Sequence, residues 1–264
     1  MGSTRASFAA LLAAIVVSSF DANAAPWTRR PGDVFLETRA DYFTSRTDAT
    51  RFERLETVTY GELGAPFATM IGGRVAYGRT WTGDAAGPSI VSDGVSEAEV
   101  FLQKTICRDD DDKNALSARF GAVRPARFST ARPGLAVDGF DVEGRLLYGR
   151  NLTLPPFKTF AIAEAGFRRR FGAAADQLRL DAGLGVEPTN RLLALFEVQS
   201  KISLRNETFD PDGLGADFDV VRFQGSIVVR IDRRTALRVG GAVETAARNV
   251  EPGRTAFVGV WSRF

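Results

Sequence analysis

From Asp33 to Thr44 the chain alternates, with Val34, Leu36, Thr38, Ala40 and Tyr42 on one side of an extended strand and Glu37, Arg39 and Asp41 on the other. A helix would scatter those charges around its cylinder, whereas a period of two gathers them on one face. The pattern recurs to the end of the chain. It predicts strands at 33–44, 51–64, 68–80, 95–106, 114–123, 137–150, 157–168, 176–187, 191–204, 217–231, 235–248 and 254–264. In 176–187, Leu178, Leu180, Ala182, Leu184 and Val186 oppose Gln177, Arg179, Asp181 and Glu187. In 217–231, Val221, Phe223, Ile227, Val229 and Ile231 oppose Arg222, Gln224, Ser226 and Arg230. Two segments are blurred: Phe160 and Ile162 share a face with Glu164, and Leu193 and Leu195 share one with Glu197. Such blurring is what a partly packed interior would produce.

The connections sort by length. After odd-numbered segments come the long stretches 81–94, 124–136 and 205–216. After even-numbered ones come mostly tight turns, such as Ala65-Pro66-Phe67, Pro188-Thr189-Asn190 and Asp232-Arg233-Arg234. Cys107–Lys113 and Asn151–Pro156 are intermediate. An up-and-down barrel with both ends of the chain on one side of a membrane would sort them this way, and a soluble sandwich has no reason to. Alternation alone does not separate the two, because a membrane barrel inverts the pattern and turns its apolar face to lipid.

Other features tip the balance. Arg5, the apolar run Phe8–Val17 and Ala22-Asn23-Ala24 read as a secretory signal cut before Ala25, which makes residues 1–24 a signal peptide and 25–264 the mature barrel. Past residue 25 no apolar run approaches the roughly 20 residues of a membrane helix. The single cysteine, Cys107, rules out an internal disulfide and a cysteine zinc cluster. Lys+Arg of 34 against Asp+Glu of 32 leaves no nucleic-acid footprint. Histidine is absent, which removes the usual side chain for proton exchange near neutral pH.

The chain closes on Ala256-Phe257-Val258-Gly259-Val260-Trp261-Ser262-Arg263-Phe264, with Phe264, Val260, Val258 and Ala256 on one face. Signal, alternation and terminal Phe together resemble the outer-membrane β-barrels of Gram-negative bacteria, over essentially residues 26–264. Ser262 departs from the large apolar residue usual three from the end of those proteins. The resemblance implies an all-β, closed, antiparallel, up-and-down transmembrane barrel of about twelve strands, porin-like and located in the outer membrane. It implies contact with lipid and lipopolysaccharide, and recognition of Phe264 as an assembly signal by the barrel-assembly machinery. The hydrolase, acyltransferase and protease families of this class use a catalytic histidine, so the chain is read as a non-enzyme without cofactor.

Function then rests on the polar faces. The expected lumen-lining set is Glu37, Arg39, Asp41, Arg74, Glu97, Glu99, Asp141, Glu143, Arg145, Arg179, Asp181, Arg222, Arg230 and Arg238. Arg119, Glu56, Glu164 and Glu244 lie on the same faces. Such a lining suits a channel for small polar solutes. The alternatives are a closed structural or surface-interaction barrel, and a passage for apolar compounds, suggested by lumen-side Phe101, Phe160 and Trp261. Asp109–Asp112 and the group Asp210, Asp212, Asp217 and Asp219 have the oxygen ligands a calcium ion wants, though turn chemistry explains them as well, and no metal site is expected. Arg168-Arg169-Arg170 reads either as a solvated rim or as a contact for lipopolysaccharide phosphates.

Overall fold

Period-two alternation becomes twelve strands. They are β1 (Val34–Arg46), β2 (Thr50–Ala65), β3 (Thr69–Asp84), β4 (Ile90–Arg108), β5 (Asn114–Pro125) and β6 (Phe140–Leu154), then β7 (Phe157–Phe171), β8 (Gln177–Thr189), β9 (Leu192–Ser203), β10 (Asp219–Arg230), β11 (Thr235–Arg248) and β12 (Gly253–Arg263). This computed structural model describes residues 26–46, 50–84, 90–111, 113–125, 139–171, 174–205 and 217–264. The expected signal peptide lies outside them. Each strand pairs antiparallel with its sequence neighbours, and β1 pairs with β12, so the sheet closes on itself. The seam runs to the last residue: Val34 N donates to Phe264 O at 3.1 Å and Phe264 N to Val34 O at 3.0 Å. Closure leaves no edge, the condition for placing backbone amides in hydrocarbon, which cannot solvate them.

The outer face is apolar. Val100, Leu102, Phe120, Leu146, Phe196, Ile227, Val239 and Val258 are all exposed there, alternating with buried neighbours such as Phe101, Gln103, Arg119, Leu147 and Phe257. A belt of this extent is untenable in water and is the surface a bilayer requires. Tyrosines mark its margins. Tyr42 donates to Glu53 and Tyr77 to Asp93 (2.9 Å) toward the end opposite the termini, and Tyr148 donates to Asn114 (2.7 Å) toward the termini.

The connections depart from expectation in one respect. The stretch 81–94 is mostly strand, because β3 runs on to Asp84 and β4 begins at Ile90. Only the β5–β6 and β9–β10 connections stay long, and both lie opposite the termini. At the termini end the β2–β3 turn is tight enough to hold Phe67 and Ala68 at φ of 61° and 53°. Local bulges interrupt the ladders between Ala76 and Tyr77, Thr105 and Cys107, and Val221 and Arg222.

Candidate functional site

The interior divides into two levels. Nearest the termini, Phe35, Tyr60, Met70, Phe101, Phe160, Leu193, Leu195, Val228 and Trp261 form one buried cluster. Their strands enter or leave the barrel there, so residues far apart in sequence share one height. Phe35 meets Trp261 edge-on at 5.6 Å, and Tyr60 stacks on Phe101 at 6.0 Å. The rings lie flat because their cross-strand partners are glycines. A Cβ on Gly72 would strike the Phe101 ring, and one on Gly185 would strike that of Phe160. The blurred faces of β7 and β9 are therefore this cluster.

Residues 26–33, preceding β1, seal the same end. Pro26 is buried, and its carbonyl accepts from the hydroxyls of Ser117 on β5 and Thr105 on β4. Thr28 shares a hydrogen bond with Thr105 at 3.1 Å. Arg29 pairs with Glu62 (Nε to Oε2, 2.6 Å) and lies 4.4 Å over the Phe35 ring. Trp27 packs on the apolar cluster, and Gly149 on β6 leaves the space that Pro26 and Trp27 fill. This segment seats itself against β2, β4, β5 and β6.

Cations cap the apolar level. Arg119 stands 4.1 Å over Phe101 and is held by Gln103 at 2.7 and 3.0 Å. Arg238, with no exposed surface, pairs with Glu197 and Glu37 (3.4 Å), donates to Ser226 (3.0 Å), and faces the Trp261 and Phe257 rings at 5.7 and 5.4 Å.

Farther from the termini lies a connected ion-pair network. Arg74 pairs with Glu97, and Glu97 with Arg168 from β7 at 3.4 Å. Arg168 also reaches Glu143 and, at 3.8 Å, Asp141, which pairs with Arg170 at 3.6 Å. Arg145 binds Glu143, Glu164 (3.1 Å) and Asp181 (2.6 Å). It reaches β8 by crossing Gly166 of β7, where a Cβ would sit 2.7 Å from the Arg145 Cγ. Arg179 joins through Glu143 at 3.5 Å. Arg74, Arg145, Arg168, Arg170 and Arg179 are thus paired with Glu97, Asp141, Glu143, Glu164 and Asp181, and Glu99 adds its charge beside Arg74 and Arg168.

No family model and no curated protein matches the chain. Solved structures do. An outer membrane channel from Pseudomonas putida F1 superposes with a TM-score of 0.67 at 9% identity, over 92% of this chain and 100% of that one. The transport unit of the autotransporter AIDA-I from Escherichia coli gives 0.52 at 11% identity, over 97% of each chain. The NanC porin gives 0.51 at 7% identity, over 85% of this chain and 98% of its own. This chain shares the closed antiparallel barrel fold of these outer-membrane proteins. At such identities the likeness establishes the fold, and function has to be argued from the interior of this barrel.

The remaining residues singled out in the sequence have these places. Arg39 pairs with Asp41 at 2.7 Å and lies 4.8 Å over Phe257. Arg222 donates to Gln224 at 3.3 Å, and Glu99 lies opposite Arg74 in the β3–β4 ladder. Arg230 pairs with Glu187 and donates to Asn190 O at 2.8 Å, at the termini end and apart from the network.

The arginine triplet needs correction. Arg168 is buried and Arg170 points inward to Asp141; only Arg169 faces out, where it pairs with Asp176 at 2.5 Å. Alternation from Glu164 carries that signal, but the expected strand stopped at 168 and hid it. Glu62 and Lys201 were likewise missed as inward-facing charges, and Glu197, noted on a blurred face, was left out of the lumen-lining set.

The acidic runs act as turn ligands. Asp109 accepts from the Asn114 backbone and side-chain nitrogens, both at 2.8 Å, and these bonds hold its carboxyl below the usual range. Asp217 accepts from Ala175 N at 2.6 Å and Asp219 from Ser203 N at 2.9 Å, while Asp210 and Asp212 lie outside the described residues. Among the described residues no group of three metal-ligating side chains occurs.

Proposed function

We propose that this barrel is a gated channel for small polar solutes, with the ion-pair network as its selective lining and residues 26–33 as its closure. The observation that carries the reading is the change in the interior from an apolar seal to a network of buried ion pairs. A barrel built only to be stable gains little from such pairs, because desolvating two charges offsets most of their attraction. Polar side chains on the inward faces are, by contrast, what a hydrated passage requires. The reading includes export. Cleavage before Ala25 would leave Pro26 near the new N-terminus, free to enter the barrel from the side on which the termini lie. It also includes assembly, in which Phe264 completes the β1–β12 seam and serves as the signal for insertion.

Conductance in planar bilayers tests the channel. The full mature chain should show small or infrequent steps, and a chain lacking residues 26–31 should show larger and more frequent ones. Silence from both, with unchanged solute uptake in a deletion strain, would sink the idea. The second reading, a closed structural barrel, would then hold, favoured by the same apolar seal.

A further inference from the structure

We propose that Arg179 and Lys201 form a binding station for a small oxyanion solute, a carboxylate or a phosphate, on the interior wall between β8 and β9. The proposal deepens the channel reading and rests on it only for the route by which the solute arrives.

The β8–β9 register sets Arg179 directly opposite Lys201, and both residues fall on the inward-facing parity of their strands. Like charges facing each other across a ladder repel at Cβ separations of about 5 Å and destabilise the pairing. Elsewhere in this interior, repulsion is absorbed by carboxylates, as Arg145 shows with three of them. Here it is not. Glu97 and Glu143 are already paired with arginines, Glu97 with Arg74 and Arg168 and Glu143 with Arg145 and Arg168, and Lys201 is a further cation beside them. Among the described residues, Lys201 Nζ has neither a hydrogen bond nor an ion pair, and Val220, its ladder partner on β10, is apolar.

Arg179 is only loosely engaged. Its contacts are Gln177 Oε1 at 3.4 Å and Glu143 at 3.5 Å, and its buried Nε lacks a hydrogen-bond partner. Two inward cations therefore face each other with donor capacity to spare. The neighbouring rungs place Gln177 opposite Ser203 on one side, both neutral, and Gln199 opposite Asp181 on the other, where the Asp181 carboxylate is already held by Arg145. A guanidinium presents two parallel N–H groups to a carboxylate or phosphate, and an ammonium adds a point charge from the second strand. Inside a low-dielectric wall a cation without a bonded partner attracts a mobile anion more strongly than it would on an open surface.

The test is equilibrium binding to the purified full chain, folded in detergent micelles at constant ionic strength. Inorganic phosphate and acetate are titrated separately, and binding is read from the broadening of their own NMR signals. Both should broaden with the unaltered chain. Lys201→Met should weaken the effect about tenfold or more, the loss expected for one charge-assisted contact. Lys104→Met, on the exposed outer face of β4, should not change it.

Broadening by one salt alone supports the station and identifies which oxyanion it takes. No broadening by either, or equal broadening in Lys201→Met, overturns it. Folding of the variant is checked by heat-dependent gel mobility. Removing a cation that faces Arg179 should leave the unfolding temperature at low salt unchanged or raise it. A clear fall would mean Lys201 has a structural partner, which also overturns the proposal. A silent bilayer would remove the channel reading and leave this titration to decide the station.

Discussion

The two levels of the interior use the same strands and the same alternation, yet opposite chemistry. Near the termini, inward positions carry Phe35, Leu193, Leu195 and Trp261; farther along the same or neighbouring strands they carry Asp41, Lys201 and Arg179. The first level is stabilised by removing apolar area from water, at about 25 cal/mol per Å². The second gains little net stability from its ion pairs, because each charge gives up hydration to form them. Cost without a matching stability gain is the ground on which the proposed channel reading places its lining at the second level. Arg238 stands at the border, with its guanidinium against aromatic rings and its charge shared by Glu37 and Glu197.

That contrast gives an order of sensitivities. The largest effect should come at the border. Arg238→Met leaves Glu37 and Glu197 buried without their shared cation, and should destabilise by about 3–5 kcal/mol, read as a lowered denaturant midpoint in micelles. A loss below about 1 kcal/mol would mean water reaches this level and the division is not real.

Next is the apolar level itself. Leu193→Ala removes a side chain only 1% exposed and should cost about 2–5 kcal/mol. The charged level should yield less. Asp181→Asn weakens a pair with Arg145 in which the Asp181 side chain keeps 24% exposure, and a change under about 1 kcal/mol is expected after solvent screening. Equal costs for Leu193→Ala and Asp181→Asn would erase the comparison.

The smallest effect concerns a turn at the termini end. Asp232 accepts backbone bonds from Arg234 (2.7 Å) and Thr235 (2.8 Å), which lower its pKa below the usual 3.8. A carboxyl whose folded pKa is depressed stabilises the turn above its unfolded value, and that contribution is lost as pH falls through the folded value. Protection of the Arg234 and Thr235 amides, taken relative to their intrinsic exchange rates, should therefore fall in acid below about pH 4, and in Asp232→Ala it should already be lost at neutral pH. Exchange that ignores both changes would show the turn is held by other bonds.

How far could the residues themselves lead? The twelve strands, their faces and the inward side chains Glu37, Asp41, Glu143 and Arg145 follow from period two, because alternation is a local property that each segment carries by itself. Boundaries were less legible where β3 and β4 extend beyond the expected 80 and 95, since their outer turns keep polar residues on both faces. The same uncertainty hid Arg168 and Arg170. No pattern marked Lys201 as a cation without a partner, because pairing depends on which residue stands across the ladder.

The sequence by itself determined how many strands there are and which side of each meets lipid. The height of a side chain inside the barrel depends on register and shear around the closed sheet, and that was decided only in three dimensions. So were the meeting of Phe35, Phe101, Phe160 and Trp261 in one seal, the passage of Arg145 over Gly166, and the seating of Pro26 against Ser117, Thr105 and Gly149. Residues 26–33 carry no alternation that would announce a seal. They acquire that place because Glu62, Thr105 and Ser117 offer them polar partners and Gly149 leaves them room, on four strands brought together only by the closed sheet.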